Sequence, residues 1–148
     1  VIRALLLIPL FAGCLSALGP EVGAPVVIPC NDVDSDPSVD VKFSADILAP
    51  ILDGAGHCTH CHSPTGMSPI GYADTGLDVS TYSTLMAGGT RSASSIVIAG
   101  KPCESVLVQK LGASPPFGAR MPLDGPPYLT AAEIQTIHDW IAEGASNN

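Results

Sequence analysis

Cys58-Thr59-His60-Cys61-His62 is the stretch on which the reading of this chain turns. Two thiols three residues apart on one turn can reach two neighbouring points on the edge of a flat ligand. The imidazole of the next residue then projects beneath that ligand. The pattern is C-x-x-C-H, the attachment sequence for haem c: Cys58 and Cys61 form thioethers with the porphyrin vinyl groups, and His62 gives a ring nitrogen to the iron. Other uses of such a pair fit less well. A structural zinc site closes with four ligands, typically from two short pairs. Here there are only Cys30 and Cys103, far along the chain, and the unpaired His57, His60 and His138. A thioredoxin-like C-x-x-C belongs to a βαβ setting, which this sequence lacks. A disulfide between Cys58 and Cys61 is sterically awkward. One covalent haem c is the cofactor expected.

The opposite face of the iron needs its own ligand, whose identity separates electron transfer from ligand binding. The candidates are Met67, Met86, Met121 and the three other histidines. Met67 follows His62 too closely to reach the far face with ease. Met86, beside Ala87-Gly88-Gly89, reads as a core methionine. Met121 stands in Gly118-Ala119-Arg120-Met121-Pro122, far enough along the chain to wrap around a haem edge, and Pro122 biases it to an extended conformation. A thioether there is soft and neutral and favours ferrous iron. Arg120 is a candidate partner for a haem propionate, a surface arginine being the plainer alternative. His57 and His60 are expected on the surface of the attachment turn, and His138 at the partly exposed edge of the last helix.

The chain around this motif has 148 residues, room for one domain of ordinary size. Its net charge of −8 argues against nucleic acid as a partner, since phosphate contact needs a surplus of lysine and arginine. Aromatic residues are 5%, a thin supply for a core, which a haem would supplement. Upstream of the motif, Phe43, Ile47 and Ile51 recur every four residues, with Ser44 as the expected N-cap and Asp46 in the first turn. Pro50 interrupts that helix or marks its start. Downstream, short helices are expected over Thr81–Ala87 and Glu104–Leu111. The clearest helix opens on the capping box Thr130-Ala131-Ala132-Glu133, shows Ile134, Ile137 and Ile141 on one face, and stops at Gly144. Trp140 on its flank is expected to pack on the first helix. With no alternating strands and no internal repeat, the fold class is all-α with long loops.

The beginning of the sequence carries a separate message. Arg3, the apolar run Ala4–Leu10 and the small residues before Cys14 describe a lipoprotein-type export signal over residues 1–13. The run is too short to span a bilayer. Cys14 is then the expected lipidation site. Residues 14–42 read as a lipid-anchored, acidic, flexible linker, with Val26-Val27-Ile28 as its apolar patch. The alternating Asp32, Asp34, Asp36 and Asp40 do not make an EF-hand, because Pro37 and Phe43 stand where that loop needs glycine and glutamate. With Cys14, Cys58 and Cys61 assigned, Cys30 and Cys103 remain, and in an oxidising compartment they are expected to pair as a disulfide that orients the domain on its anchor.

A family resemblance gathers these features. Cys58 to His62, then Met121-Pro122, then a last helix carrying Trp140-Ile141-Ala142-Glu143-Gly144-Ala145 looks like a class I cytochrome c. From Phe43 to Ala145 the chain resembles planctomycete-type monohaem c domains more narrowly. It carries Asp46-Ile47-Leu48-Ala49-Pro50-Ile51-Leu52 before the motif and Arg120-Met121-Pro122-Leu123-Asp124-Gly125-Pro126-Pro127 before Glu133-Ile134. The resemblance implies a class I cytochrome c fold over 43–148, three to five short helices wrapped around one haem, with His62 and Met121 as axial ligands. It implies a single-electron carrier and not an enzyme, exported to the periplasmic or cell-surface side of a bacterial membrane. Its partners would be redox proteins, in particular a membrane electron-transfer complex. Two alternatives stand beside it: a haem-bearing relay subunit of a respiratory or photosynthetic complex, and a haem enzyme or gas sensor with an open sixth site.

Overall fold

Phe43, Ile47 and Ile51 fall on helix α1, Phe43–Ala55, which is wound as a π-type helix in this computed structural model, which describes residues 30–148. Pro50 lies inside it. Proline has no N–H for any helical ladder and its ring would strike the carbonyl one turn back, and a wider turn eases the second of these. Phe43, Ile47, Ile51 and Leu52 are buried along one side. Ser44 is not the N-cap. Lys42 occupies that position, and its N–H donates to the Asp46 carboxylate at 2.8 Å. The N–H groups of Phe43 and Ser44 are satisfied from the far end of the sequence, by the Asn148 side-chain oxygen at 2.9 Å and its backbone carbonyl at 3.3 Å.

The remaining helices are α2 (Cys58–Cys61), α3 (Ile70–Thr75), α4 (Tyr82–Ala87), α5 (Val106–Leu111) and α6 (Ala131–Ala142), with short 3-10 turns at Ala93–Ser95 and Pro102–Glu104. Among the described residues there is no strand. Among the described residues the fold is all-α with long connections, and five α-helices accompany the π-type one. Thr81 caps α4 by accepting from the Thr84 N–H. The expected helix over Glu104–Leu111 is split: buried Ser105 is extended, donating its hydroxyl to the Lys101 carbonyl at 2.9 Å, and α5 begins after it.

Helix α6 is the centre of the packing, against α1, α5 and the Pro102–Glu104 turn. Both halves of its capping box form: the Glu133 N–H donates to the Thr130 hydroxyl oxygen, and the Glu133 carboxylate accepts from the Thr130 N–H at 2.7 Å. Ile137 and Ile141 are fully buried and Ile134 packs at the edge of the core. Trp140 packs on α1, as expected, with ring centroids 5.3 Å from Phe43 and 6.4 Å from Tyr82. Its indole N–H donates to the Ser146 carbonyl at 2.9 Å, and the Tyr82 hydroxyl to the Ala145 carbonyl at 2.9 Å.

His138 departs from its expected partly exposed position. It is buried, with Nε2 against the Asn31 carbonyl and Nδ1 3.3 Å from the Asp139 carboxylate. The cause is the segment 30–42, read as part of a flexible linker, which lies along α6 and covers that ring. Cys30 is bonded to Cys103, with Cα atoms 5.7 Å apart. The Ser35 N–H donates to Asp139 at 3.0 Å, and the Val41 N–H to Glu143 at 2.8 Å. The aspartates of this segment serve its own turns and anchors. Asp34 accepts from the Asp36 N–H, Asp36 from the Ser38 N–H, and Asp32 from the Cys103 N–H. The export signal at 1–13, Cys14, the linker up to residue 29 and the Val26-Val27-Ile28 patch lie outside the described residues.

Candidate functional site

The turn 58–62, the expected attachment turn, is built against the end of α1. The Gly56 N–H donates to the Ile51 carbonyl at 2.7 Å, turning the chain, and His57 enters α2 in the left-handed region at φ 47°. A side chain at residue 56 would meet the Cys58 sulfur at 3.0 Å and Leu129 at 3.3 Å, so this corner requires glycine. Buried Thr59 donates its hydroxyl to Asp53 of α1. The His62 N–H closes α2 on the Cys58 carbonyl at 2.7 Å, and the His62 carbonyl takes the Val79 N–H at 2.8 Å. Cys58, Cys61 and His62 are thus held on a single turn fastened at both ends.

Both thiols are free and half-buried. Burial, with the charges of Cys61 and Asp124 nearby, pushes the Cys58 thiol up to about 11 despite a favourable backbone hydrogen bond. At neutral pH it is a neutral thiol. Among the described residues no third histidine, cysteine or carboxylate converges on Cys58 and Cys61 within ligand distance. His57 is exposed and His60 half-buried, their ring centroids 4.9 Å apart and the planes tilted by 41°.

His62 is the unusual member. Its Nδ1 is buried and makes no hydrogen bond of normal geometry. Burial lowers the proton affinity of the ring, the nearby Leu77 carbonyl works the other way, and the charge of Lys110 lowers it further. The result is a neutral imidazole, the form that binds a metal. Gly71 of α3 lies flat on this ring: a Cβ there would stand 2.8 Å from Cε1 and 2.9 Å from Nε2. A buried orphan nitrogen and a backbone pared down to admit the ring both fit an imidazole positioned for an axial bond. Gly71→Ala is expected to tilt the imidazole and lower the melting temperature by the equivalent of about 1–3 kcal/mol of overpacking, read by thermal unfolding of the haem-loaded chain. An unchanged melting curve would show that the ring has room to spare.

The segment 121–129 reaches the corner of the same turn through Leu129. The Met121 N–H donates to the Lys110 carbonyl at 2.8 Å, and the Lys110 ammonium is close enough to act on His62. Asp124, three residues on, acts on Cys58, and Leu129 touches the Gly56 corner. Met121 is half-buried, and the peptide bond it makes with Pro122 is cis. Met86 packs on the core, and Met67 is 85% exposed. Arg120 is oriented by its Nε, which donates to the Leu111 carbonyl at 2.8 Å, and by the Tyr128 ring 4.0 Å beneath its guanidinium. Lys110 donates to the Phe117 carbonyl at 2.7 Å and sits over the Phe117 ring, on whose other approach Arg91 lies at 5.9 Å. Three of the chain's six basic residues therefore gather around the Met121 segment of an acidic protein.

Large apolar side chains are also left exposed here. Met67, Ile70 and Tyr72 on one segment and Leu123 and Tyr128 on the other account for five of the seven found exposed among the described residues. Two surface hollows are lined elsewhere, one by residues of the 36–51 segment and α6, the other by the outer face of the attachment turn; neither is lined by His62 or Met121. Sequence reading missed Gly71, Leu77, Lys110 and Arg91. A glycine inside a helix is the one local signal that could have pointed to Gly71. Comparison with family models, with curated proteins and with solved structures returned no match.

Proposed function

We propose that this chain is a single-electron carrier with a class I cytochrome c fold and one covalent haem c. The observation that carries this reading is the attachment turn itself: two unbonded thiols and an adjacent neutral imidazole with a buried, unpartnered Nδ1. Cys58 and Cys61 would tether the ring, and His62 and Met121 would hold the iron. The haem supplies exchange of one electron at a time between ferric and ferrous iron, with little change in bonding. The residues around it tune that exchange. The Leu77 carbonyl raises the proton affinity of His62, against the larger effect of burial. Arg120, joined by Lys110 and Arg91, offers positive charge to the propionates. The apolar side chains now exposed at 67–72 and 123–128 would cover the ring and keep water from the iron.

Export and lipid anchoring through Cys14 belong to the same proposal, with the chain on the periplasmic or cell-surface side of a bacterial membrane. Redox proteins, including a membrane electron-transfer complex, are its proposed partners. A fixed relay subunit is the second reading. It is favoured by the 30–42 segment, whose disulfide and hydrogen bonds would give the domain a set orientation relative to an anchor. A redox titration followed by optical spectra tests the main reading. One reversible one-electron wave with a six-coordinate spectrum in both oxidation states is expected. A colourless protein matured with a competent haem-attachment system, or a ferrous form that binds carbon monoxide at once, would overturn it.

A further inference from the structure

The end of α5 and the loop that follows it are fastened together largely through one residue. The last carbonyls of a helix have no partner within it, and in α5 the loop takes two of them. The Lys110 carbonyl accepts the Met121 N–H at 2.8 Å, and the Leu111 carbonyl accepts from Arg120 Nε at 2.8 Å. The Lys110 side chain works in the opposite direction. Its ammonium donates to the Phe117 carbonyl at 2.7 Å and to the Ala119 carbonyl. Lys110 therefore holds residues 117, 119 and 121, every second position of the stretch that ends on Met121.

This is an unusual employment for a lysine. Lys42 and Lys101 each meet a carboxylate, but among the described residues Lys110 meets none. Lys110 is half-buried, and burial together with the Arg91 charge keeps its proton affinity below that of an ordinary lysine. A cation in such a place needs hydrogen bonds in exchange for its lost water, and the two carbonyls provide them. Between those carbonyls stands Gly118 at φ 59°, a left-handed turn in which a Cβ would also lie 3.6 Å from the Lys110 ammonium. The same charge is felt at His62, which sets this fastening beside the proposed iron ligands.

We propose that Lys110 is the positioning residue for Met121: by clasping the carbonyls of Phe117 and Ala119 it keeps the Met121 thioether on the iron and outside ligands off it. The proposal rests on the reading of His62 and Met121 as axial ligands. Lys110 acts through the loop. Without the clasp, the 117–121 stretch keeps only its two bonds to the last carbonyls of α5, and the sixth position opens to exchange. Loss of a hydrogen bond to a charged group of this kind shifts such an equilibrium by about tenfold or more.

The test compares wild type, Lys110→Met and Gly118→Ala as full chains. Lys110→Met keeps a stem over the Phe117 ring and loses the donors and the charge. Gly118→Ala strains the turn while keeping every charge, and serves alone if Lys110→Met does not mature. Amide hydrogen exchange reads the clasp itself: the Met121 N–H is expected to exchange at least about tenfold faster in Lys110→Met, with the α6 amides unchanged. In the ferric, haem-loaded chain, imidazole should bind at least about tenfold more tightly and the near-infrared sulfur-to-iron band should weaken. Gly118→Ala should move both readouts the same way by less. Lys101→Met, which loses only an exposed ion pair, should move neither. Unchanged exchange at Met121, or faster exchange with imidazole affinity and band as in the wild type, would overturn the positioning role and leave the ligation reading standing. A wild type without the sulfur-to-iron band would overturn the ligation reading itself, and the positioning role with it.

Discussion

With both Cys58 and Cys61 changed to serine, the matured chain is expected to surrender all its haem to acidified acetone, whereas the wild type keeps haem through extraction and denaturing electrophoresis. The size of the effect follows from the kind of bond. Axial ligation is lost when the fold is lost or when His62 is protonated, but a thioether survives both. The structure meets the preconditions on the protein side. The thiols are not joined to each other, and the second cysteine pair is already closed on itself. Cys58, pushed up to about 11 mainly by burial, is kept as a neutral thiol and so resists exchange into wrong disulfides at neutral pH. Each single serine variant should retain haem through its one remaining thioether. Intact mass and haem staining of denatured chains read all four proteins, and a wild-type polypeptide carrying no added haem mass would contradict the expectation outright.

Much of the helical framework could be read from residue patterns because the signals are local. Thr130 and Glu133 are three residues apart and make their capping box with no outside help. The Thr81 cap and the buried stripe of α6 are equally self-contained. What escaped reading was settled over long distances. Ser44 has the chemistry of an N-cap, but Asn148 arrives from 104 residues away to take the amides at the start of α1. His138 sits on an exposed-looking edge of the α6 pattern, and burial came from Asn31 lying over it. At the candidate site the attachment turn is written in five consecutive letters, so its members were plain. Its supports were not, since Gly71, Leu77 and Lys110 come from three different places and no spacing links them to His62. The disulfide followed from counting cysteines, whereas its place beside His138 needed three elements to be placed together.

Met121→Ala carries the second large effect, because under the proposed ligation it alone would remove a bond to the iron while leaving the tether and His62 in place. The ferric protein is expected to lose its near-infrared sulfur-to-iron band, and the ferrous protein to bind carbon monoxide. The midpoint potential should fall by on the order of a hundred millivolts or more, against a span of about 0.8 V that axial ligands command in haem proteins. The choice of Met121 over the other two methionines rests on neighbours. Its N–H is held by the Lys110 carbonyl at 2.8 Å, and the Lys110 charge lowers the proton affinity of His62. Asp124 further along the same segment acts on Cys58. Met86 is engaged in the core, and Met67 follows the turn too closely and stands 85% exposed. Met67→Ala and Met86→Ala should therefore leave the band and the potential unchanged, with Met86→Ala costing only stability, about 2–5 kcal/mol at a well-buried site and less at this half-buried one. If Met86→Ala abolished the band and Met121→Ala did not, the iron would be ligated from the α4 side and the basic cluster at Arg91, Lys110 and Arg120 would need another explanation.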